Sequence, residues 1–78
     1  MTKGVNMQQV QDAIETAIHQ QTETVIGPYG RSPFSGLIDG LLKMPEYSVS
    51  GLVFMSPVDV VVWGSCAGRT WTMRMKGE

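Results

Sequence analysis

The sequence predicts an α+β fold: an N-terminal helical hairpin packed on a three-stranded antiparallel β-meander, in one domain spanning residues 1–78. Three observations predict it. Two stretches before Pro45 place apolar side chains at helical spacing. After Pro45 the runs become rich in β-branched and aromatic residues. The connections "SP" and "SCAG" between those runs are too short to join anything but antiparallel neighbours.

The first helix is expected over about 7–26. Asn6 is a good N-cap, and Gln9 follows three residues later as in a capping box, with Val5 and Val10 at the positions of a hydrophobic staple. Met7, Val10, Ile14, Ala17, Ile18 and Val25 keep helical phase, while Gln8, Gln11, Asp12, Glu15 and His19 form the wet side. Gly27 and Pro28 supply the stop, although Thr22 and Thr24 are weak formers in its last turn. The second helix is expected over about 33–44. Ser32 caps it, Pro33 occupies the first position, and Phe34, Leu37, Ile38, Leu41 and Leu42 fit the amphipathic template. Strands follow at about 47–55, 58–63 and 69–76.

The register follows from the loops. With Ser56 and Pro57 as the first loop, Phe54 lies near Asp59; with Gly64 to Gly68 as the second, Trp63 lies near Arg69. The heavier face then carries Leu52, Phe54, Val61, Trp63, Trp71, Met73 and Met75 and is assigned to the helices. The reverse face carries Tyr47, Val49, Val53, Met55, Val58, Val60 and Val62, with Thr70, Thr72 and Arg74 on the third strand. Two short helices cover one face of three strands, so an apolar face is left open, of a size that marks an interaction site. The competing reading is a register different by one residue, or loops folded across that face.

Composition narrows the function. A chain of 78 residues buries about 60% of the surface its unfolded form exposes, so the core is thin. Cys66 is the lone cysteine, which excludes an internal disulfide, and one Cys with one His makes at most half a zinc site. Self-association is the remaining support, and a homo-oligomer is expected. A lone thiol without a recognisable signal peptide fits a reducing cytoplasm. The net charge of −1 is scattered, which excludes a nucleic-acid footprint, and the apolar run Leu52 to Trp63 is too short and too interrupted to span a membrane. Charged residues are 17% of the chain, against about 25% in an average domain, and six methionines are many; both point to surface covered by a partner.

Candidate sites are sparse. Cys66 in "WGSCAGR" has no base beside it, and His19 follows Glu15 by one helical turn, a surface pair. No two acidic residues are spaced as a carboxylate pair or metal cage; Asp59 reads as a strand-end residue whose side chain accepts a backbone N–H. No catalytic residue, metal ligand or cofactor is assigned. Gly36 and Gly40 make a smooth groove on helix 2, flanked by Asp39 and Lys43, where another backbone can approach, or where helix 1 packs in the same molecule. Trp63 and Arg69 flank the last turn, in position to stack as a cation on a ring.

The sequence resembles no known family. It points to a non-catalytic protein–protein interaction module that works as a homo-oligomer or docks on a larger protein of unknown identity. Its expected contact residues are Gly36, Asp39, Gly40, Lys43, Tyr47, Val49, Val53, Val60, Val62, Trp63 and Arg69. Chains of this economy are common among phage and mobile-element accessory proteins, as inhibitors or structural subunits. The alternative is a sensor of a small anionic ligand or nucleotide using Gly30, Arg31 and Ser32 before helix 2, where free N–H groups and an arginine favour an anion.

Overall fold

The structure, a computed structural model, describes residues 6–29 and 35–77. Its elements are α1 (Met7–Gln20), β1 (Thr24–Tyr29), α2 (Ser35–Leu42), a 3₁₀ turn η1 (Pro45–Tyr47), β2 (Val49–Ser56), β3 (Asp59–Cys66) and β4 (Arg69–Gly77). The α+β class is as expected. The sheet, however, has four strands in the order β1-β4-β3-β2. The three C-terminal strands pair consecutively and antiparallel. β1 adds to β4 in parallel, so the sheet is mixed rather than a three-stranded antiparallel meander. The helical hairpin is also corrected, because a strand separates the two helices.

α1 begins as its sequence specifies. Asn6 accepts from the Gln9 backbone and Gln9 accepts from the Asn6 backbone, both at 3.0 Å. Val10, Ala13, Ile14 and Ala17 form its buried stripe. It ends six residues before the expected boundary, at a left-handed Gln21 whose N–H bonds to the Ala17 carbonyl. The β-branched Thr24, Val25 and Ile26 then enter the sheet, where their branched side chains cost less than in a helix. Val25 is in phase with the helix by coincidence of spacing; in the strand it points away from the core and stays exposed. α2 buries Ile38 and Leu41, and the core closes over Tyr47, Val60, Val62, Trp71, Met73 and Met75. Val5, Ser32, Pro33 and Phe34, named as the staple, cap and first turn, lie outside the described residues.

The strand register departs from expectation at both hairpins. The last turn is two residues, Ala67 (φ 53°) and Gly68 (φ 78°), between the paired Cys66 and Arg69. Positive φ at both centres is the signature of a type I′ hairpin. In the first hairpin, Ser56 pairs with Asp59 but Phe54 pairs with Val60, so Met55 is an extra, bulged residue. A five-residue loop in place of a two-residue one, and a bulge left uncounted, each exchange the two faces of β3. Val60 and Val62 therefore point inward and are fully buried, while Val61 and Trp63 point outward. Leu52, Trp71, Met73 and Met75 lie on the helix side as expected.

Trp71 sits over Gly64, its partner on β3. Its Nε1–H donates to the Tyr47 carbonyl at 2.9 Å, and its ring meets the Tyr47 ring edge-on at 6.5 Å between centroids. A Cβ on Gly64 would lie 2.6 Å from the Ser48 carbonyl oxygen and 2.8 Å from the Trp71 ring. The backbone oxygen cannot move cheaply. Gly64→Ala should cost roughly 1–3 kcal/mol of folding stability in a urea titration. Gly40→Ala should do the reverse: its Cβ would rest 3.5 Å from the Met7 sulfur, an ordinary contact, and the helix should gain up to about 1 kcal/mol.

Candidate functional site

The helices lie on one side of the sheet, with α1 across β4 and β1. The opposite side carries no helix among the described residues. Side chains alternate along each strand, and directly paired residues share a face. The outer face thus joins Val25, Arg74, Val61 and Val53 in one row across four strands, and Thr72, Trp63 and Gly51 in the next. Val25, Val53 and Trp63 are 54%, 45% and 40% exposed, and the bulged Met55 is 62% exposed.

Two interactions organise this surface. Trp63 lies flat across its partner Gly51, where a Cβ would come within 2.6 Å of the indole. The missing side chain lets the ring pack on the Gly51 backbone while the residue stays 40% exposed. Beside it, Arg74 grips Asp59 through two bonds, Nε to Oδ1 at 2.9 Å and Nη2 to Oδ2 at 2.6 Å. This fork-on-fork geometry pairs the two charges on the outer face, next to the exposed Lys76. Asp59 is the strand-end residue expected, but its carboxylate accepts from a guanidinium instead of a backbone N–H.

The expected contact residues are dispersed rather than assembled. Only Val53 and Trp63 meet on the outer face. Val60 and Val62 are core residues, Tyr47 is buried beneath Trp71, and Val49 is half-buried on the helix side. These four form no free surface, because the register of β3 is the reverse of that expected and η1 folds under the sheet. On α2, Gly36, Asp39 and Lys43 are exposed, whereas Gly40 is half-buried against Met7 of α1. The glycine pair is therefore no open groove: half of it faces the molecule's own first helix. Arg69 and Trp63 stand on opposite faces of the sheet, so the expected stack does not form. Gly30, Arg31 and Ser32 lie outside the described residues. Val25, Met55, Val61, Asp59 and Arg74 join the face instead. A type I′ reading of "AG" would have placed Val61 and Trp63 outward. The bulge at Met55 and the parallel strand that brings Val25 have no comparable local signal.

Other chemistry is thin among the described residues. No three His, Cys, Asp or Glu side chains gather as a metal site. Cys66 is half-buried against the core. Burial, reinforced by Glu15 and Glu46, holds the Tyr47 phenol above its ordinary pKa. A groove of about 530 Å³ runs between the end of α1 and the start of β4, lined by Gln21, Thr22, Glu23, Arg69, Thr70 and Thr72 over Trp71. Among the described residues no helix is long and apolar enough to cross a membrane.

No family model, curated protein or solved structure matches the chain.

The ion pair has a pH signature. Hydrogen bonds from Arg74, opposed by desolvation and aided by its charge, hold the Asp59 carboxyl below its ordinary pKa. A depressed carboxylate stabilises the fold fully above its unfolded pKa of about 3.9 and loses that contribution as pH falls through the folded value. The stability advantage of the wild type over Asp59→Asn should therefore shrink below about pH 4, as read from urea titrations at successive pH values.

Proposed function

We propose that this chain is a non-catalytic protein-binding module whose contact surface is the outer face of the sheet. The observation that carries this reading is an apolar surface of Val53, Val61 and Trp63 on β2 and β3, with Met55 beside it, left without a layer among the described residues. Single exposed apolar residues are ordinary on any protein, but a contiguous group of them is characteristic of interaction sites. Trp63 is held flat over Gly51 and so presents a large ring with little freedom left to lose on binding, the property that makes tryptophan a frequent interface anchor. The internal Asp59–Arg74 pair satisfies two of the charges on the face, beside the exposed Lys76 opposite Asp59. An inhibitor or structural subunit of a phage or mobile element is the kind of small protein that such a surface fits.

Of the five methionines among the described residues, Met73 and Met75 are fully buried and Met7 and Met44 half-buried, which leaves Met55 as the exposed one. The exposed helix residues Gly36, Asp39 and Lys43 lie away from the face and are not part of the proposed contact.

The test is site-specific photocrosslinking in the cell that makes the protein. A photoreactive residue at Met55 or Val25 should yield protein adducts, either to another copy or to a second protein. The same residue at Thr16, exposed on α1, should yield none. Equal adduct yields at all three positions, or none at Met55 and Val25, would remove the outer face as the contact surface.

A further inference from the structure

We infer that β2 is a pairing edge for a second copy of this chain, giving an antiparallel β2–β2 junction and one continuous eight-stranded sheet with both helical layers on the same side. The inference rests on the protein-binding reading above and adds an edge contact to it, the outer face staying open in the dimer.

The two edges of the sheet are unlike. β1 carries Pro28, which has no N–H to offer, and its pairing becomes irregular beyond Ile26. The proline is a device that blunts an edge against pairing. β2, "VSGLVFMS", carries no proline and, like β1, no charged residue. Its backbone bonds only to β3 among the described residues. Its irregularities fall at its ends, at Ser50 and Met55, leaving Gly51–Phe54 as a regular run.

Side chains on both faces of that run are unfinished. Val53 is 45% exposed on the outer side. Phe54, paired with Val60 on the helix side, is nevertheless 47% exposed, because α1 lies over β4 and β1 and does not reach it. An occupant must therefore bring extended backbone together with apolar side chains on both faces. A second β2 has these properties. A two-fold axis perpendicular to the sheet and centred on Val53 sets Val53 against its own copy on the outer face, and Leu52 against Phe54 twice on the helix side. Every such pair is apolar against apolar, the kind of cross-strand contact that stabilises antiparallel ladders. No like charges meet within the strand.

The size is consistent with a reversible dimer. With the axis at Val53, residues 50–56 of the two strands face one another, about 23 Å of edge. With side chains on both faces, this buries on the order of 500 Å² per copy, at the lower end of specific interfaces. Association near micromolar concentration follows, rather than an obligate dimer.

The experiment is sedimentation velocity of the wild type across a hundredfold concentration range ending well above micromolar, beside Val53→Lys and Val53→Glu. The wild-type mass should rise from the 8.5 kDa monomer towards twice that value. Each variant alone should stay monomeric, with like charges opposed at the axis, and an equimolar mixture of the two should regain the doubled mass. Amide hydrogen exchange of the wild type, independent of any substitution, should show concentration-dependent protection confined to residues 50–55. A monomeric mass throughout, a mass growing past the dimer, or a dimer indifferent to both substitutions would overturn the inference. If it is overturned while crosslinking at Met55 still captures a different protein, the binding reading stands and only the second copy is wrong.

Discussion

The fold turns on one indole. Trp71 fits over β3 because Gly64 has no side chain, and it carries an N–H that would be costly to bury unpaired. The Tyr47 carbonyl accepts that N–H, and the Tyr47 ring closes edge-on against the same indole. Tyr47 ends the 3₁₀ turn that links the second helix to the sheet. Immediately after it, left-handed Ser48 turns the chain and its carbonyl accepts from Ser65 on β3. A single tryptophan thus joins the helical half to the central strands and fixes where β2 begins. The surrounding core is made of Met73, Met75, Val60, Val62 and the α1 stripe, which supply area without polar demands.

That arrangement determines what is left outside. Because Gly64 and Trp71 share the inner face, alternation sends Trp63, Thr72 and Arg74 to the outer one. Two tryptophans eight residues apart therefore have opposite fates. Each lies over a glycine on a neighbouring strand, Trp71 over Gly64 and Trp63 over Gly51, but only the first is covered by helices. The same structural device is used once to seal a core and once to flatten an exposed surface. The Asp59–Arg74 fork then pairs two charges on the outer face where β3 and β4 meet.

The placement of α1 completes the asymmetry. It spans β1 and β4, the parallel pair, and leaves the far side of the sheet at β2 thinly covered. The edge it protects is also the one carrying Pro28, while the edge it neglects has no proline. Helix position and the outward side chains of β2 leave the same region of the molecule, around Val53, Phe54 and Met55, uncovered.

By itself the sequence determined whatever depends on near neighbours along the chain: the Asn6–Gln9 capping box, the buried stripe of α1, the Ile38 and Leu41 face of α2, three C-terminal strands in antiparallel succession, and Trp71, Met73 and Met75 as core. These follow from periodicity and capping, whose physics acts over a few residues. The short second hairpin was also legible, since Ala67-Gly68 can adopt the two positive φ values of a tight turn, but "SCAG" reads equally as a longer loop. What only the tertiary structure decided was long-range. The segment from Thr22 to Tyr29 has helical phase at Val25 yet becomes a strand, because the open edge of β4 supplies backbone partners that an isolated helix end lacks. The bulge at Met55 reverses which half of β3 is buried, and a one-residue change of register carries every side chain with it. Val60 and Val62 therefore joined the core and Trp63 the surface, a choice made by packing against Trp71 and α1 and by nothing local in "VDVVVWG".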